Sequence, residues 1–226
     1  MKIHSKRYKE SEKQLDRDKV YQLKEAISAI KKMAPPKFDG SVDLHFNLSV
    51  DTKKSDQMVR GTVVLPHGTG KKVRLAVFCR GEHERLAKDA GADYVGANEL
   101  IDKVAGGFLD FDSCIATPEM MKDLSKLGKI LGPKGLMPSP KTGTVTNDIA
   151  KAIEDVKKGK VEFRVDKQGG VHLSIGKLSF SEDKLYDNAS RVIDGLNDAK
   201  PSSVKGKFMR GLSISSSMNP GLKITI

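Results

Sequence analysis

Apolar and polar residues alternate strictly along several stretches near both ends of the chain. In the clearest stretch, residues 42–50, apolar side chains occupy the even positions and polar ones the odd positions. Successive side chains of a strand point to opposite faces, so this pattern predicts a strand with one buried and one solvated face. His45 falls on the polar face, and a solvent-side position is favoured over a functional one. Similar alternation predicts strands at residues 60–65, in KVEFRVD and GGVHLSIGK, and around Leu212, Ile214, Leu222, Ile224 and Ile226.

Two amphipathic helices accompany these strands. Apolar residues spaced by three and four predict the first helix at Val20, Leu23, Ile27 and Ile30, and the second at Leu185, Ala189, Val192 and Leu196. Pro35 and Pro36 are expected to stop the first, because proline cannot continue a helix.

The middle of the chain has a different pattern. Nearly continuous apolar runs, VRLAVFC, YV and FDSCIAT, are separated by helical segments. Such runs are typical of parallel strands that are buried on both faces. A last helix, with Ile149 and Ile153 on its apolar face, is expected to end at Gly159.

These patterns together predict two domains. Both ends of the chain, 1–67 and 160–226, would form a discontinuous α+β domain with an antiparallel sheet and helices. Residues 68–159 would form an inserted α/β three-layer, Rossmann-like domain. The connections would be paired hinges at Pro66, Gly68, Gly70 and Gly159, because few contacts need to cross them.

A loop rich in glycine and proline, LGKILGPKGLMPSPKTGTV at residues 127–145, lies within the predicted insert. Glycine and proline recur so often that neither a helix nor a strand is expected to persist. Its lysines have no carboxylate among them, and its leucines and methionine argue against a disordered linker. The interpretation is a stiff, basic protrusion suited to phosphates.

The overall charge points to a nucleic acid. Lys and Arg number 40 against 29 Asp and Glu, which gives a net charge of +11, and such an excess attracts polyanions. No apolar run approaches the roughly 20 residues of a membrane-spanning helix, so a cytoplasmic protein is expected. Cys79 and Cys114 lie inside apolar runs and are interpreted as buried free thiols. Neither a metal nor a cofactor is predicted.

Two other functional classes were weighed. For an enzyme, the nearest phosphate-loop match, Gly68-Thr69-Gly70-Lys71, lacks the required spacing and hydroxyl, and no GxGxxG follows the first strand of the insert. Asp110 and Asp112 lack an identifiable partner base and are interpreted as solvated loop charges. A DNA-binding regulator would need a recognition helix or arm, whereas basic residues here spread over loops and strand faces.

Several motifs give the chain a specific resemblance. The most distinctive is LGKILGPKGLMPSPKTGTV, supported by KFDGSVD, SDQMVRGTVVLPHGTGKKVR, GADYVG, VEFRVDKQGGVHLSIGK and SSSMNP. With these, nearly the whole chain resembles the large-subunit ribosomal protein L-one family. The resemblance implies a non-enzymatic ribosomal protein that binds large-subunit rRNA and forms a mobile stalk beside the tRNA exit site, where it assists release of deacylated tRNA. It also implies translational repression through the protein's own mRNA, and a monomer when free.

The family's RNA surface carries over to positions in the two terminal segments. The implied RNA-binding residues are Lys37, Phe38, Ser41, Arg164, Asp166, Lys167, His172, Ser217 and Met218. Cations would contact phosphates and hydroxyls would contact 2′-hydroxyls, with Phe38 and Met218 as an apolar platform. Alternatively, Phe38 could anchor its strand and Met218 could pack as a turn residue.

Three positions depart from the family pattern. Asn219 stands where the family usually has Gly, Gln168 where it has Thr, and Gly211 where it has a hydroxyl residue. Asn tolerates the left-handed backbone region, so the turn at residue 219 is expected to survive.

The basic loop is left without a role in rRNA binding. Because the resemblance places this outer domain facing the exit-site tRNA, Lys129, Lys134 and Lys141 are candidate contacts to the tRNA backbone. Alternatively, the loop only packs over the end of the parallel sheet.

Overall fold

The chain forms two compact units in the computed structural model, which describes residues 5–13, 15–16, 19–33, 36–204 and 206–225. The first unit combines Met1–Gly70 with Val161–Ile226, and the second is Lys71–Lys160. The predictions made for Pro35 and Ile226 lie outside the described residues. The prediction of a mixed α/β protein is confirmed.

The main sheet of the first unit has five strands among the described residues, in the order β1-β10-β9-β2-β8. Its strands are β1 (Val20–Tyr21), β2 (Ser41–Leu48), β8 (Gly170–Lys177), β9 (Met209–Ser216) and β10 (Leu222–Ile224). β2 pairs antiparallel with both β8 and β9. The sheet is not purely antiparallel as predicted, because β1 pairs with β10 in parallel.

Helices cover one face of this sheet. α1 (Lys6–Lys13), which the sequence patterns did not predict, precedes α2 (Leu23–Lys32) and α8 (Glu182–Asp198). The even-numbered residues of β2 pack with α2 and α8 in one apolar core. The prediction that Val20 begins the first helix is wrong: Val20 lies in β1 and is 52% exposed. The spacing of Val20 from Leu23 fits a helix, but its backbone instead pairs with Lys223 of β10.

A small second sheet also belongs to this unit. It pairs β3 (Arg60–Val64) with β7 (Lys160–Arg164). An added Cβ on Gly61 would lie 2.6 Å from Cζ of Phe163, and one on Gly195 of α8 would clash with Val63 Cγ2. Small residues are therefore needed where β3 meets β7 and α8.

The second unit is built on a parallel sheet with the order β5-β4-β6 among the described residues. Its strands are β4 (Leu75–Phe78), β5 (Tyr94–Gly96) and β6 (Ser113–Ala116), and both pairings are parallel. The helices are α3 (Glu82–Asp89), α4 (Asn98–Ala105), α5 (Met121–Leu124), α6 (Gly128–Leu131) and α7 (Ile149–Lys158). The expected strand and helix alternation is present in this unit.

Both faces of the parallel sheet are buried, in two separate apolar clusters. Ala76 and Phe78 of β4 pack in a cluster with α4, α5 and α6. Leu75 and Val77 of the same strand pack in the other cluster, which includes Ile153 of α7. Each face of β4 therefore needs apolar residues, which explains the unbroken apolar run in the sequence.

The prediction that no helix persists in the glycine- and proline-rich loop is wrong. α6 occupies Gly128–Leu131, and a 3₁₀ turn spans Pro140–Thr142. Leu131 is fully buried and Thr142 is 2% exposed. Burial of these side chains stabilises short helical turns that the local sequence would not favour.

The predicted hinge glycines lie close to the boundaries of the two units. Gly68, Gly70 and Gly159 all have positive φ, with values of 66°, 73° and 102°. Gly159 caps α7, whereas Gly68 and Gly70 lie within the first unit, whose boundary follows Gly70 rather than residue 67. An added Cβ on Gly70 would lie 2.9 Å from the Phe180 ring, so this glycine permits close packing.

Both cysteines are buried and unpaired, as predicted. Burial raises the pKa of Cys79 to about 11 and that of Cys114 to about 12. Both thiols therefore stay protonated at neutral pH and are poor nucleophiles. In the part of the chain that the structure describes, no helix is long and apolar enough to span a membrane, and no group of three or more His, Cys, Asp or Glu residues could hold a metal ion.

Candidate nucleic-acid interface

The solvent face of the main sheet is a continuous polar surface. Alternation places Asp43, His45 and Asn47 of β2 on this face, opposite the core residues. In the register, His45 lies opposite His172 of β8 and Ser213 of β9. α2 and α8 pack on the other face, so β2, β8 and β9 present polar side chains together on this one. We refer to this surface as the polar face.

One end of the polar face is closed by paired serines. Ser41 N donates to Ser217 Oγ at 3.1 Å, and Ser217 N donates to Ser41 O at 2.9 Å. Lys177 Nζ donates to Ser41 Oγ at 2.9 Å. These bonds bring the start of β2 against the end of β9, although more than 170 residues separate them in the chain.

Beside these serines are two exposed apolar side chains. Phe38 is 55% exposed and Met218 is 66% exposed, so neither is buried in the core as the alternative interpretation required. Met218 has a φ of 66°, a left-handed conformation that is uncommon for a residue with a side chain. Lys37 is also exposed, and Arg7 Nη2 donates to Met218 O at 3.2 Å.

The turn between β7 and β8 forms the other end of the polar face. Asp166 Oδ1 accepts from Gln168 N at 2.8 Å and from Gly170 N at 2.7 Å. These bonds hold the pKa of Asp166 below its usual range and shape the turn as an Asx motif. Lys167 is exposed at its tip. Arg164 precedes this turn, exposed on β7 of the second sheet.

A chain of side chains crosses the middle of the polar face. His45 Nδ1 lies 2.9 Å from His172 Nδ1, and His45 Nε2 lies 2.8 Å from Ser215 Oγ. His172 Nε2 lies 3.6 Å from Asp166 Oδ2. An added Cβ on Gly170 would lie 2.8 Å from that same oxygen, so a side chain at this position would displace the Asp166 carboxylate.

Neither His45 nor Ser215 is among the site residues predicted from the sequence. The prediction of a solvent-side His45 is correct as to the face, but its ring is half-buried and bonded on both nitrogens. Partial burial and the neighbouring His172 lower the pKa of His45, against a smaller opposing effect of Asp43. The alternating pattern could have predicted this cluster, because the two histidines and Ser215 all occupy polar positions of alternating strands.

A shallow concavity of about 430 Å³ lies over this part of the face. It is lined by polar residues including Asn47, Gln168, Ser213 and Lys223. Gly211 also lines it, and an added Cβ there would meet only Asn47 Cβ, at 3.9 Å. The departure at Gly211 therefore removes a hydroxyl without altering the strand.

The other departures are also accommodated. Asn219 N donates to Ser216 O at 3.0 Å and Asn219 Nδ2 donates to Ser216 Oγ at 2.9 Å, so the turn after β9 forms without glycine at this position. Gln168 contributes its backbone N–H to Asp166, a bond that any residue except proline could make.

In the second unit, the basic loop combines buried anchors with exposed cations. Leu131 is fully buried, and Leu136 and Met137 pack partly against the same core. Lys129, Lys134 and Lys141 are exposed. The packing and the cationic surface therefore coexist in one loop, so the two interpretations made from sequence are compatible.

Asp110 is exposed, as predicted, whereas Asp112 is partly buried, and both carboxylates are ion-paired. Asp112 accepts from Lys71 Nζ at 2.6 Å and from Arg74 Nε at 3.3 Å, while Asp110 pairs with the same guanidinium. Lys71 and Arg74 lower the pKa of Asp112 to about 2. A permanently ionised, ion-paired carboxylate is a poor general base at neutral pH, so this cluster gives no support to an enzyme.

Comparison with known proteins extends these observations. The family model described as the ribosomal protein L1p/L10e family matches residues 30–220. The large ribosomal subunit protein uL1 of Thermosipho melanesiensis is 52% identical over 225 residues, covering 99% of this chain and 97% of that protein. The large ribosomal subunit protein uL1 of Fervidobacterium nodosum is 52% identical over 227 residues, covering 100% of this chain and 97% of that protein.

Proposed function

This chain belongs to the ribosomal protein L1p/L10e family, and we propose that it binds large-subunit rRNA through the polar face of its first unit. The resemblance identified from the motifs is thereby confirmed. Members of the family are structural proteins of the cytoplasmic ribosome rather than enzymes, in agreement with the sequence analysis.

The observation that carries the proposal is the composition of the polar face. Its centre presents hydroxyl, amide and imidazole groups, while Lys37 and Lys167 lie exposed near its two ends. A shallow RNA minor groove offers 2′-hydroxyls at its centre and phosphates along its edges. The proposed contacts are therefore hydrogen bonds in the middle and ion pairs at the ends.

Phe38 and Met218 supply the remaining element of this interface. Both are large apolar side chains that are more than half exposed, and apolar surface of this kind is available for contact with a partner. Placed beside the paired serines, they are suited to contact ribose and base surfaces. The left-handed Met218 presents its side chain outward at the cost of backbone strain, a feature that occurs at functional sites.

Competition binding tests this function most directly. The full chain would be titrated with a transcript of the large-subunit rRNA stalk junction and, separately, with duplex DNA of equal length at 0.15–0.2 M salt. Tighter binding to the rRNA transcript is expected, because the face offers hydrogen-bonding groups suited to 2′-hydroxyls. Equal affinity for both duplexes would reject the proposed face as an RNA site and leave only general attraction to phosphate.

The basic loop favours a second activity, contact with the tRNA at the exit site. Four lysines occur between residues 126 and 141 without an intervening carboxylate. Their loop is held by the burial of Leu131 and Thr142. A loop that is already ordered loses little entropy on binding, and contacts to phosphate do not depend on sequence. These properties suit a partner that changes with each codon.

Replacing Lys129, Lys134 and Lys141 by Gln tests this second activity. The exchange removes three charges and leaves the buried anchors intact, so thermal stability and rRNA affinity should not change. Release of deacylated tRNA from ribosomes that carry the variant should be slower or otherwise altered. Lys122, Lys151 and Lys158 are exposed helix residues of the same unit, and their replacement by Gln is the matched control. Wild-type release kinetics in the loop variant would refute the tRNA contact.

Two further roles rest on the family resemblance. We propose that the same polar face binds a related structure in the protein's own mRNA and so represses translation. The discontinuous unit would then suffice for RNA binding by a free monomer. Pro66, Gly68, Gly70 and Gly159 would act as hinges that let the second unit move while the first stays on its RNA.

A further inference from the structure

We propose that Asp166, His172, His45 and Ser215 form a proton-linked relay that makes the Ser215 hydroxyl a donor to RNA. This inference rests on the proposed function, because it concerns how the same face is regulated. It assigns a positioning role to His45, which has no contact of its own in the proposed interface. It also predicts that RNA binding takes up a proton.

The relay follows from the hydrogen-bonding capacity of imidazole. The two facing Nδ1 atoms are 2.9 Å apart, so one must carry a proton and the other must accept it. Asp166 Oδ2 lies 3.6 Å from His172 Nε2, and its negative charge favours a proton on that nitrogen. When both rings are neutral, His45 Nδ1 therefore donates to His172 Nδ1.

In this neutral state Ser215 faces outward only as an acceptor. His45 Nε2 has no proton left, so Ser215 Oγ, 2.8 Å away, must donate to it. Its hydroxyl proton is then directed into the protein. A phosphate or carbonyl oxygen of RNA would meet only lone pairs at this position.

One added proton reverses every bond of the chain. The proton on His45 Nδ1 moves to His172 Nδ1, the Ser215 proton moves to His45 Nε2, and the incoming proton from water ends on Ser215 Oγ. His172 is now a cation bonded to Asp166, His45 remains neutral, and Ser215 can donate outward. A second proton on the pair would place hydrogens on both facing nitrogens and break the contact, so the relay holds one.

The charged groups around the pair agree with uptake of a single proton. On the strands and turn that pack against the pair, Asp43 and Asp166 supply negative charge, while Lys167 and Lys223 supply positive charge. The pKa of His45 is lowered by burial and by His172, which agrees with a neutral His45. An RNA phosphate on this face would add negative charge and so favour the state of the pair that holds the extra proton.

The direction of the pH effect follows by linkage. A histidine whose pKa is higher in the complex strengthens binding fully below its pKa in the free protein. This contribution is lost as pH rises through its pKa in the complex. Because the pair takes up one proton when RNA binds, affinity for the rRNA transcript should increase by several-fold as pH falls from 8 to 6.

The experiment measures the affinity of the full chain for the rRNA stalk-junction transcript at pH 6 and pH 8, at constant ionic strength. Ser215→Ala should weaken binding by about tenfold at pH 6 and by less than threefold at pH 8. His172→Gln and His45→Gln should each remove most of the pH dependence. In a His45→Gln background, Ser215→Ala should have the same effect at both pH values.

Two matched variants keep the test specific. Ser213→Ala removes a hydroxyl from the same strand and face, and His67→Gln removes a histidine that is also paired with a carboxylate, Asp187. Both should retain the wild-type pH dependence. If Ser215→Ala weakens binding by the same factor at both pH values, the relay is refuted while RNA binding stands. If the wild-type chain binds the transcript at neither pH, the proposed function itself fails.

Discussion

Asn188→Ala is expected to lower the free energy of unfolding of the first unit by about 2–4 kcal/mol. The side chain is fully buried and satisfies three backbone groups. Its Nδ2 donates to Ile175 O at 2.7 Å and to Gly68 O at 3.0 Å, and its Oδ1 accepts from His67 N at 3.1 Å. Alanine would leave these groups without their partner and leave a cavity as well.

The measurement should separate the two units. Urea denaturation gives the overall change, and hydrogen exchange followed by mass spectrometry assigns it to peptides of the first unit. Exchange should rise most in residues 65–70, because Asn188 holds that segment against α8 and β8. Peptides of the parallel sheet should be unaffected.

Asn197→Ala is the matched control for this prediction. Asn197 lies near the end of the same helix, but it is exposed, so its replacement should cost less than about 0.5 kcal/mol. A similar small effect of Asn188→Ala would contradict the role assigned to these bonds. An increase in exchange throughout the second unit as well would contradict the assignment of this effect to the first unit.

Replacing Lys37, Arg164 and Lys167 together by Gln should reduce the slope of log K against log salt by about 2 to 3, if each neutralises one phosphate. If affinities converge near 1 M salt, the loss at 0.1 M salt is roughly 100- to 500-fold. This is the largest effect expected on RNA binding. It follows from the exposure of all three cations near the ends of the polar face.

The apolar pair provides the contrasting variant. Phe38→Ala with Met218→Ala should weaken binding and leave the salt slope unchanged, because no charge is removed. The control that removes the same number of charges is the triple variant Lys184→Gln, Arg191→Gln and Lys200→Gln. These exposed residues lie on or just after α8, which packs on the other face of the sheet. Equal slopes for the cation and apolar variants would refute this division of roles.

Much of the fold was predictable because buried positions recur along the chain with the period of the strand or helix that contains them. Residues 42–50 alternate since one face of β2 is buried and the other is solvated. Residues 75–78 are continuously apolar since β4 is buried on both faces. The short β1 was not predictable in this way. Val20 has helical spacing, yet its backbone pairs with Lys223 of a strand 200 residues away.

The candidate site was likewise predictable only in part. The motifs identified Lys37, Phe38, Ser217 and Met218 through a family resemblance, and their part in RNA binding stays a prediction. Their exposure could not be read from hydrophobicity, because a Phe or Met is more often buried. The tertiary structure leaves Phe38 and Met218 exposed beside the bonded pair of Ser41 and Ser217.

By itself, the sequence determined the secondary-structure pattern, the basic charge and the family, because each is carried by neighbouring residues or by composition. The tertiary structure decided which distant polar groups meet. His45, His172 and Ser215 are placed together by strand register, which a one-residue shift would destroy. Likewise, nothing in the local sequence distinguishes Asn188 from an exposed polar residue. It is buried and bonded to Gly68 only because α8 packs over that segment. Such contacts depend on three-dimensional proximity, and no local pattern encodes that proximity.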